Sequence, residues 1–366
     1  SKIAHLVSPA RPAHIPATNP NSMIGAGMIH KGKTFITHTT LREQHSATNS
    51  FTRSQLLTIF IFVSLFILGL VINPIPTMIG FTAILSTIYF LDVLFNLFLV
   101  AKSVHTPPEL VFTPEQIASL KDKDLPTYTI LVPLYKEANV LPHFVDSVNS
   151  LNYPKNKLDV ILLLEEDDKE TIEVAKKLEL PPYIRPLVVP HSFPKTKPKA
   201  CNYGLAEAKG EYVVIYDAED QPDPDQLKKA ILGFKMSPPE VGCLQAKLNY
   251  HNKDQNLLTR FFTAEYSLWF DVVLPGLQSI NTSIPLGGTS NHFRVRDLIA
   301  SQGWDAFNVT EYSDLGSRLF KAGFRTAIID SVTLEEANSK VGNWIRQRSR
   351  WIKGYMQTYL VHMRHP

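Results

Sequence analysis

Cysteine is scarce: Cys201 and Cys243 are the only two in 366 residues, and they lack metal-ligand spacing. No disulfide framework or thiolate metal site can be built from them, so a reducing compartment with two buried thiols fits best. Charge of one sign is also lacking. Thirty-seven basic against 34 acidic residues leave a formal net charge of +3. No Lys/Arg run interleaved with aromatics forms a strand-binding groove, so nucleic acid is not an expected partner. There is no internal repeat, and His5, His14, His30, His38 and His45 are too scattered to hold a metal.

What is present is apolar and unevenly spread. With 44% hydrophobic residues the chain can bury a sizeable core. Leu56 to Ile72 is uncharged, and Met78 to Ala101 holds one charge, Asp92. As helices rising about 1.5 Å per residue, each comes close to the roughly 30 Å thickness of bilayer hydrocarbon. Only Asn73-Pro74-Ile75-Pro76 separates them. A signal peptide is the competing reading of the first run, but some fifty residues precede it and a second run follows, which favours a membrane hairpin. Lys2, Arg11, Lys31, Lys33, Arg42 and Arg53 precede the hairpin against Glu43 alone, and Lys102 follows it. Both flanks are therefore expected on the cytoplasmic side of a cell (inner) membrane. Asp92 and Asn96 share one helix face, as an interfacial pair, a helix contact or a polar path.

The chain divides accordingly into a basic Pro/Thr/His-containing arm (1–53), the hairpin (54–102), a proline-marked juxtamembrane linker (103–126) and a large cytosolic domain (127–366). In that domain strands and helices alternate. Strands are expected over Tyr128–Pro133, Val160–Leu164, Leu187–Val189 and Tyr212–Tyr216, with helices over Ala138–Ser150, Glu170–Leu178 and Pro198–Ala208. Continuous apolar strands in such alternation predict a parallel sheet covered on both faces, with ligands at the carboxyl ends of the strands. Acids stand at two such ends: Glu165, Glu166, Asp167 and Asp168, then Asp217, Glu219 and Asp220.

Carboxylates on a tight turn suit Mg²⁺ or Mn²⁺ with phosphate oxygens completing the shell, although an acidic turn is more often merely solvated. Lys195, Lys197 and Lys199 precede the helix near Ala200, between the two acidic ends, where cations and free amides could hold a phosphate.

The ordered set VPLYKE, the acids after LLL, KPKACNYGL, YDAEDQP, LGGTSNHFR, VTEYSDLGSRLFKAGFRT and QRSRW spans about Tyr128 to Trp351. It resembles the inverting family 2 glycosyltransferases of the GT-A fold, in the branch of cellulose, chitin and hyaluronan synthases. That resemblance implies an α/β GT-A domain, a Rossmann-like mixed sheet flanked by helices, attached to the transmembrane hairpin. It implies a UDP-sugar donor, a glycan acceptor and a divalent metal. Pro133, Tyr135 and Glu137 would border the nucleoside pocket, Glu165 would meet the uracil, and Lys199 and Asn202 would lie along the diphosphate or ribose. Asp217 and Glu219 would hold the metal, with Asp220 a close alternative. Gly287, Gly288, Thr289 and Ser290 match the acceptor loop. Gln347, Arg350 and Trp351 match QxxRW, with Arg on the leaving diphosphate and Trp as a floor for the acceptor. Unaided, that segment reads as a basic amphipathic helix on the membrane lipid.

One position departs from the pattern. Where the family carries Thr-Glu-Asp with Asp as general base, this chain has Thr310-Glu311-Tyr312. Tyrosine, with an ordinary pKa about 10, is a poor base near neutrality. Glu311 or Asp314 would then serve, or the chain binds nucleotide sugar without turnover. A third reading, non-processive transfer to a lipid phosphate, is disfavoured by QxxRW. Two spans cannot enclose a path for a polymer, so further channel-forming helices or subunits are expected.

Overall fold

The computed structural model describes residues 28–30, 33–35, 41, 43–105 and 108–364. Most of the 1–53 arm, with Lys2, Arg11, Lys31 and Arg42, lies outside the described residues. Within it, β1 (Met28–His30) and β2 (Lys33–Phe35) pair antiparallel.

The hairpin forms where the apolar runs predict it. Helix α1 (Arg53–Ile72) opens on Thr52, whose side chain accepts from Gln55 N while Gln55 reaches back to the Thr52 amide. This reciprocal cap satisfies two of the amides a helix start leaves free. Asn73 alone separates α1 from α2 (Pro74–His105), because Pro74 is tolerated in a first helical turn. Both helices are long and apolar enough to cross a membrane, and no residue of α1 is buried. The lower end of α2 is packed: Leu99 is buried, and Gly276 comes so close that a Cβ there would stand 2.7 Å from the Leu99 carbonyl. After the short helix α3 (Pro114–Ala118) the large domain begins. The preceding linker is not loose. Leu110 exchanges backbone hydrogen bonds of 2.8 and 2.9 Å with Ile328 and Asp330.

The domain runs β3 (Tyr128–Leu134), α4 (Leu141–Ser150), β4 (Leu158–Glu165), α5 (Lys169–Lys177), β5 (Ile184–Val189), α6 (Lys197–Leu205), β6 (Tyr212–Ile215), β7 (Gln221–Pro222) and α7 (Gln226–Met236). There follow β8 (Val241–Tyr250), α8 (Leu257–Leu268), one π-helical turn (Trp269–Val273), α9 (Leu274–Ser279), β9 (Asn291–Arg294), α10 (Val295–Ala300), α11 (Glu311–Lys321), β10 (Arg325–Glu335) and α12 (Val341–His362). Eight strands form one sheet in the order β5-β4-β3-β6-β9-β8-β10-β7.

The β5-β4-β3-β6 half is parallel, as the alternation predicts. The remainder is mixed, with β8 and β10 parallel. Strand β9 runs antiparallel to both β6 and β8, and β7 antiparallel to β10, so the whole is the mixed sheet expected of a GT-A domain. Both faces are covered. Along β4, Val160, Leu162 and Leu164 enter one apolar cluster, while Ile161 and Leu163 enter the other. That double burial is why β4 reads as an unbroken apolar run.

A buried polar chain crosses the middle of the sheet. Tyr128 Oη meets His292 Nδ1 at 2.7 Å, His292 Nε2 lies 3.2 Å from Gln226 Oε1, and Gln226 Nε2 donates to Ser331 and Thr333. Thr333 in turn bonds Ser290 at 2.7 Å. Burial pushes the His292 pKa down to about 3, so the ring is neutral and works as a hydrogen-bonding strut.

Candidate active site

Strand β6 delivers its acids to the edge of a cavity of about 670 Å³. Asp217 and Glu219 lie on its wall. Asp220 does not: it is buried, and its Oδ2 accepts from Asp217 N at 2.7 Å and Thr289 Oγ1 at 2.5 Å. It folds the turn from within rather than standing beside Asp217 in the cavity. Its other oxygen, Oδ1, is buried without a partner. Burial, then Asp217, pushes the Asp220 pKa well above the carboxylate range. Glu335, at the end of β10, is also on the wall, and burial with Asp220, Asp217 and Glu219 pushes it up too.

The residue facing these carboxylates is Lys197, the first of α6. Its Nζ stands 2.5 Å from Asp217 Oδ1 and donates to the Gly288 carbonyl at 3.0 Å. Lys199, expected along the diphosphate, is instead buried in an ion pair with Glu165 at 2.9 Å. Two residues apart on a helix start, the two lysines face different ways. Glu165 and Lys199 thus satisfy each other in this structure. Asn202 is likewise committed: its amide clasps Trp304 through bonds of 2.7 and 3.0 Å to the backbone.

Helix α11 supplies the opposite side. Thr310, Glu311 and Tyr312 all line the cavity. Burial lifts the Glu311 pKa to about 7 although Lys197 works against the rise, so this carboxyl changes charge near neutrality. Tyr312 is buried edge-on against Trp304, its ring 5.3 Å from Lys197 Nζ, and its hydroxyl has no partner. Asp314, the other candidate base, faces away from the cavity lining. It is fully buried, one oxygen on Arg318 Nε at 2.8 Å and the other on His362 Nε2 at 2.9 Å.

Helix α12 closes the cavity with Gln347, Arg350, Trp351 and Tyr355. Arg348 forks onto both oxygens of Glu265 and lies 4.8 Å from the Trp351 ring, which ties α12 to α8 and fixes the indole. Gly354 lets α12 rest on the rim of the site, since a Cβ there would meet Thr310 at 2.4 Å. Gln347 Oε1 is buried without a partner. Buried polar atoms are rarely left unpaired, so Tyr312 Oη and Gln347 Oε1, both of residues on the cavity wall, mark where a polar ligand fits.

On the nucleoside side, Pro133 is half-buried at the end of β3 and Tyr135 is exposed, its ring 3.9 Å from Lys195 Nζ. Lys136 takes a left-handed φ of 59° and its amide bonds Asp168, which turns the chain toward Glu137. Burial, then Asp217 and Glu219, lifts the Glu137 pKa to about 7. Of the glycine loop, Gly287 and Gly288 reach the cavity. Thr289 and Ser290 are buried beneath it, bonded to Asp220 and Thr333, and hold the loop from below.

The cavity therefore unites Asp217, Glu219, Gly288, Glu311, Gln347, Arg350 and Trp351, drawn from four separate segments. Sequence reasoning missed Glu335, a strand-end acid that the strand-end rule would have found, and Lys197 as the reaching lysine. It also missed Gln245, whose side chain accepts from Gly287 N at 2.7 Å. Asn96 of α2 lines the cavity as well, so the hairpin meets the site. Among the described residues no three acid, His or Cys side chains converge closely enough to cage an ion as they stand. The residues nevertheless fit a divalent cation by charge: Asp217, Glu219 and Glu335 share the wall with one ammonium, that of Lys197.

A mixed sheet with strand-end acids at a cavity is the arrangement of a GT-A domain. The chain belongs to the glycosyltransferase-like family 2, whose model matches residues 126–354. It is 27% identical over 237 residues to the probable glycosyltransferase YdaM of Bacillus subtilis (strain 168), covering 63% of this chain and 56% of that one. It is 25% identical over 290 residues to the probable glucomannan 4-beta-mannosyltransferase 14 of Arabidopsis thaliana, covering 74% and 54%. The chain thus spans just over half the length of these curated relatives. Its fold is similar to the mannosyltransferase PcManGT from Pyrobaculum calidifontis, solved with GDP-Man and Mn²⁺, with a TM-score of 0.61 at 19% identity, over 78% of this chain and 75% of that one.

Proposed function

We propose that the chain transfers a hexose or N-acetylhexosamine from a nucleotide-diphosphate sugar to a glycan acceptor at the cytosolic face of a membrane, with inversion. The observation that carries this is the convergence of Asp217 and Glu219 with Glu311 and Gln347, Arg350 and Trp351 on one cavity. Asp217 and Glu219 would hold Mg²⁺ or Mn²⁺, which when bound offsets the charge of the departing diphosphate. Arg350 stabilises the same leaving group, and Trp351 offers a stacking face to the acceptor ring. Glu311 takes the acceptor hydroxyl proton as that oxygen bonds the anomeric carbon and the bond to the diphosphate breaks. Its carboxyl, poised near pH 7, suits that task better than Asp314, whose two oxygens are committed. UDP remains the expected nucleotide, and the structural neighbour's GDP-Man makes GDP-mannose the donor to set beside it. Asn96 on the cavity wall supports an acceptor that arrives along the hairpin.

Purified chain in membranes with UDP- and GDP-sugars and Mn²⁺ should release nucleotide, and excess chelator or Asp217→Ala should stop the release. Release undiminished by either overturns the metal-assisted reading. Tyr312 in place of the usual Asp favours a second reading, nucleotide-sugar binding without turnover. Binding without release, unchanged in Tyr312→Asp, would establish it.

A further inference from the structure

Three basic side chains reach the cavity, and they are not equivalent. Arg348 is committed to Glu265, and Arg350 comes from α12 across the cavity. Lys197 alone sits among the strand-end acids. Its ammonium spans two elements, from Asp217 Oδ1 at 2.5 Å to the Gly288 carbonyl at 3.0 Å, and the side chain keeps about a quarter of its exposure, 28%. An ion held by Asp217 would share that carboxylate with the ammonium on Oδ1, and two cations on one carboxylate repel. Cation binding to the free chain is therefore opposed by Lys197, and the ammonium and the ion compete for the same neighbouring carboxylates, Glu219 and Glu335.

A donor diphosphate changes that balance. It brings negative charge beside the start of α6, where a compact ammonium on a flexible four-carbon stem can turn to it. We propose that Lys197 is an internal counter-cation, held on Asp217 in the donor-free chain and handed to the donor diphosphate when a divalent cation takes its place, so that cation and nucleotide bind as a linked pair. The exchange also frees the Gly288 carbonyl, where a Cβ would find no atom within 4 Å, so the glycine loop can adjust at that moment. This inference rests on Asp217 as a metal ligand, and linkage makes it reciprocal: whatever factor the nucleotide adds to cation affinity, the cation adds to nucleotide affinity.

The test is Mn²⁺ binding to the full detergent-solubilised chain, read from the free Mn²⁺ EPR signal with and without UDP or GDP. The parent chain should bind Mn²⁺ weakly alone and at least about tenfold more tightly with nucleotide. Lys197→Met, with Lys197→Gln as a second variant should Met impair folding, should bind Mn²⁺ alone about tenfold more tightly than the parent, and its gain from nucleotide should shrink. Lys197→Arg, which keeps the charge, should resemble the parent. Equal or weaker Mn²⁺ affinity in both neutral variants, while the parent binds Mn²⁺ with nucleotide, overturns the inference alone. No Mn²⁺ uptake by the parent under any condition, or uptake undiminished in Asp217→Ala, overturns the metal reading and the inference with it.

Discussion

Asp314 and Arg318, one turn apart on α11, hold each other at 2.8 Å with neither side chain exposed. Arg318 also donates to the carbonyls of Ser301 and Gly303 at 2.6 and 2.7 Å, and His362 of α12 closes on the other Asp314 oxygen. Removing one partner of such a pair leaves a buried charge uncompensated. Asp314→Ala should therefore lose about 3–5 kcal/mol of folding stability. Thermal unfolding checks this; a stable but inactive Asp314→Ala would restore Asp314 as the base.

Glu311 predicts a pH profile. Its carboxyl must be ionised to accept a proton, so kcat/KM should rise with pH through a midpoint near 7, the value to which burial lifts it. Glu311→Gln should cut turnover by about 10²–10⁴ and leave nucleotide binding in place. Lys197 holds that midpoint down, so Lys197→Met should move it upward. The same raised pKa gives Glu311 a contribution to folding stability that is full below the unfolded carboxyl's range and lost as pH climbs through 7.

Tyr312 tests whether a phenol in the place of the family's acid takes part. Its hydroxyl is buried without a partner, and an unsatisfied buried polar group costs about 1–3 kcal/mol. Tyr312→Phe should thus melt no lower than the parent and keep turnover within about threefold. A loss of two orders of magnitude with an unchanged melting temperature would make the hydroxyl part of the chemistry.

Two glycines of α12 form a matched pair. Gly354→Ala drives a Cβ to 2.4 Å from Thr310, whereas Gly342 has open space around it. The first change should cost about 1–3 kcal/mol and slow turnover, as overpacking does. Gly342→Ala should be neutral or stabilising by about 0.5–1 kcal/mol, because alanine loses less backbone freedom in a helix. Melting curves and nucleotide release on both variants separate the two cases.

The parallel half of the sheet was legible because each strand is buried on both faces and so reads as a continuous run, LDVILLLE being the plainest. Strand β9 was not: NHFR is four residues long, and His292 is buried through partners on β3 and α7 that no local pattern announces. The site divides the same way. Asp217 and Glu219 follow from strand-end placement. Lys197 against Lys199, and Glu311 against Asp314, differ only in which way a helix is rotated, and that rotation is set by what packs on its far side. Asn202, Thr289 and Ser290 sit in the recognisable motifs, yet their hydrogen bonds go to protein groups. A motif records which residues a site needs, including those that only hold its frame.

The contact between Gly354 and Thr310 leaves no compliance between α12 and the residue that precedes Glu311. At its far end α12 is pinned again, where Gln55 of the first apolar helix donates to the Leu360 carbonyl at 2.7 Å. A helix fixed at both points behaves as a rigid lever. Were the hairpin set in a bilayer, a tilt imposed by its thickness would reach the mouth of the cavity through α12.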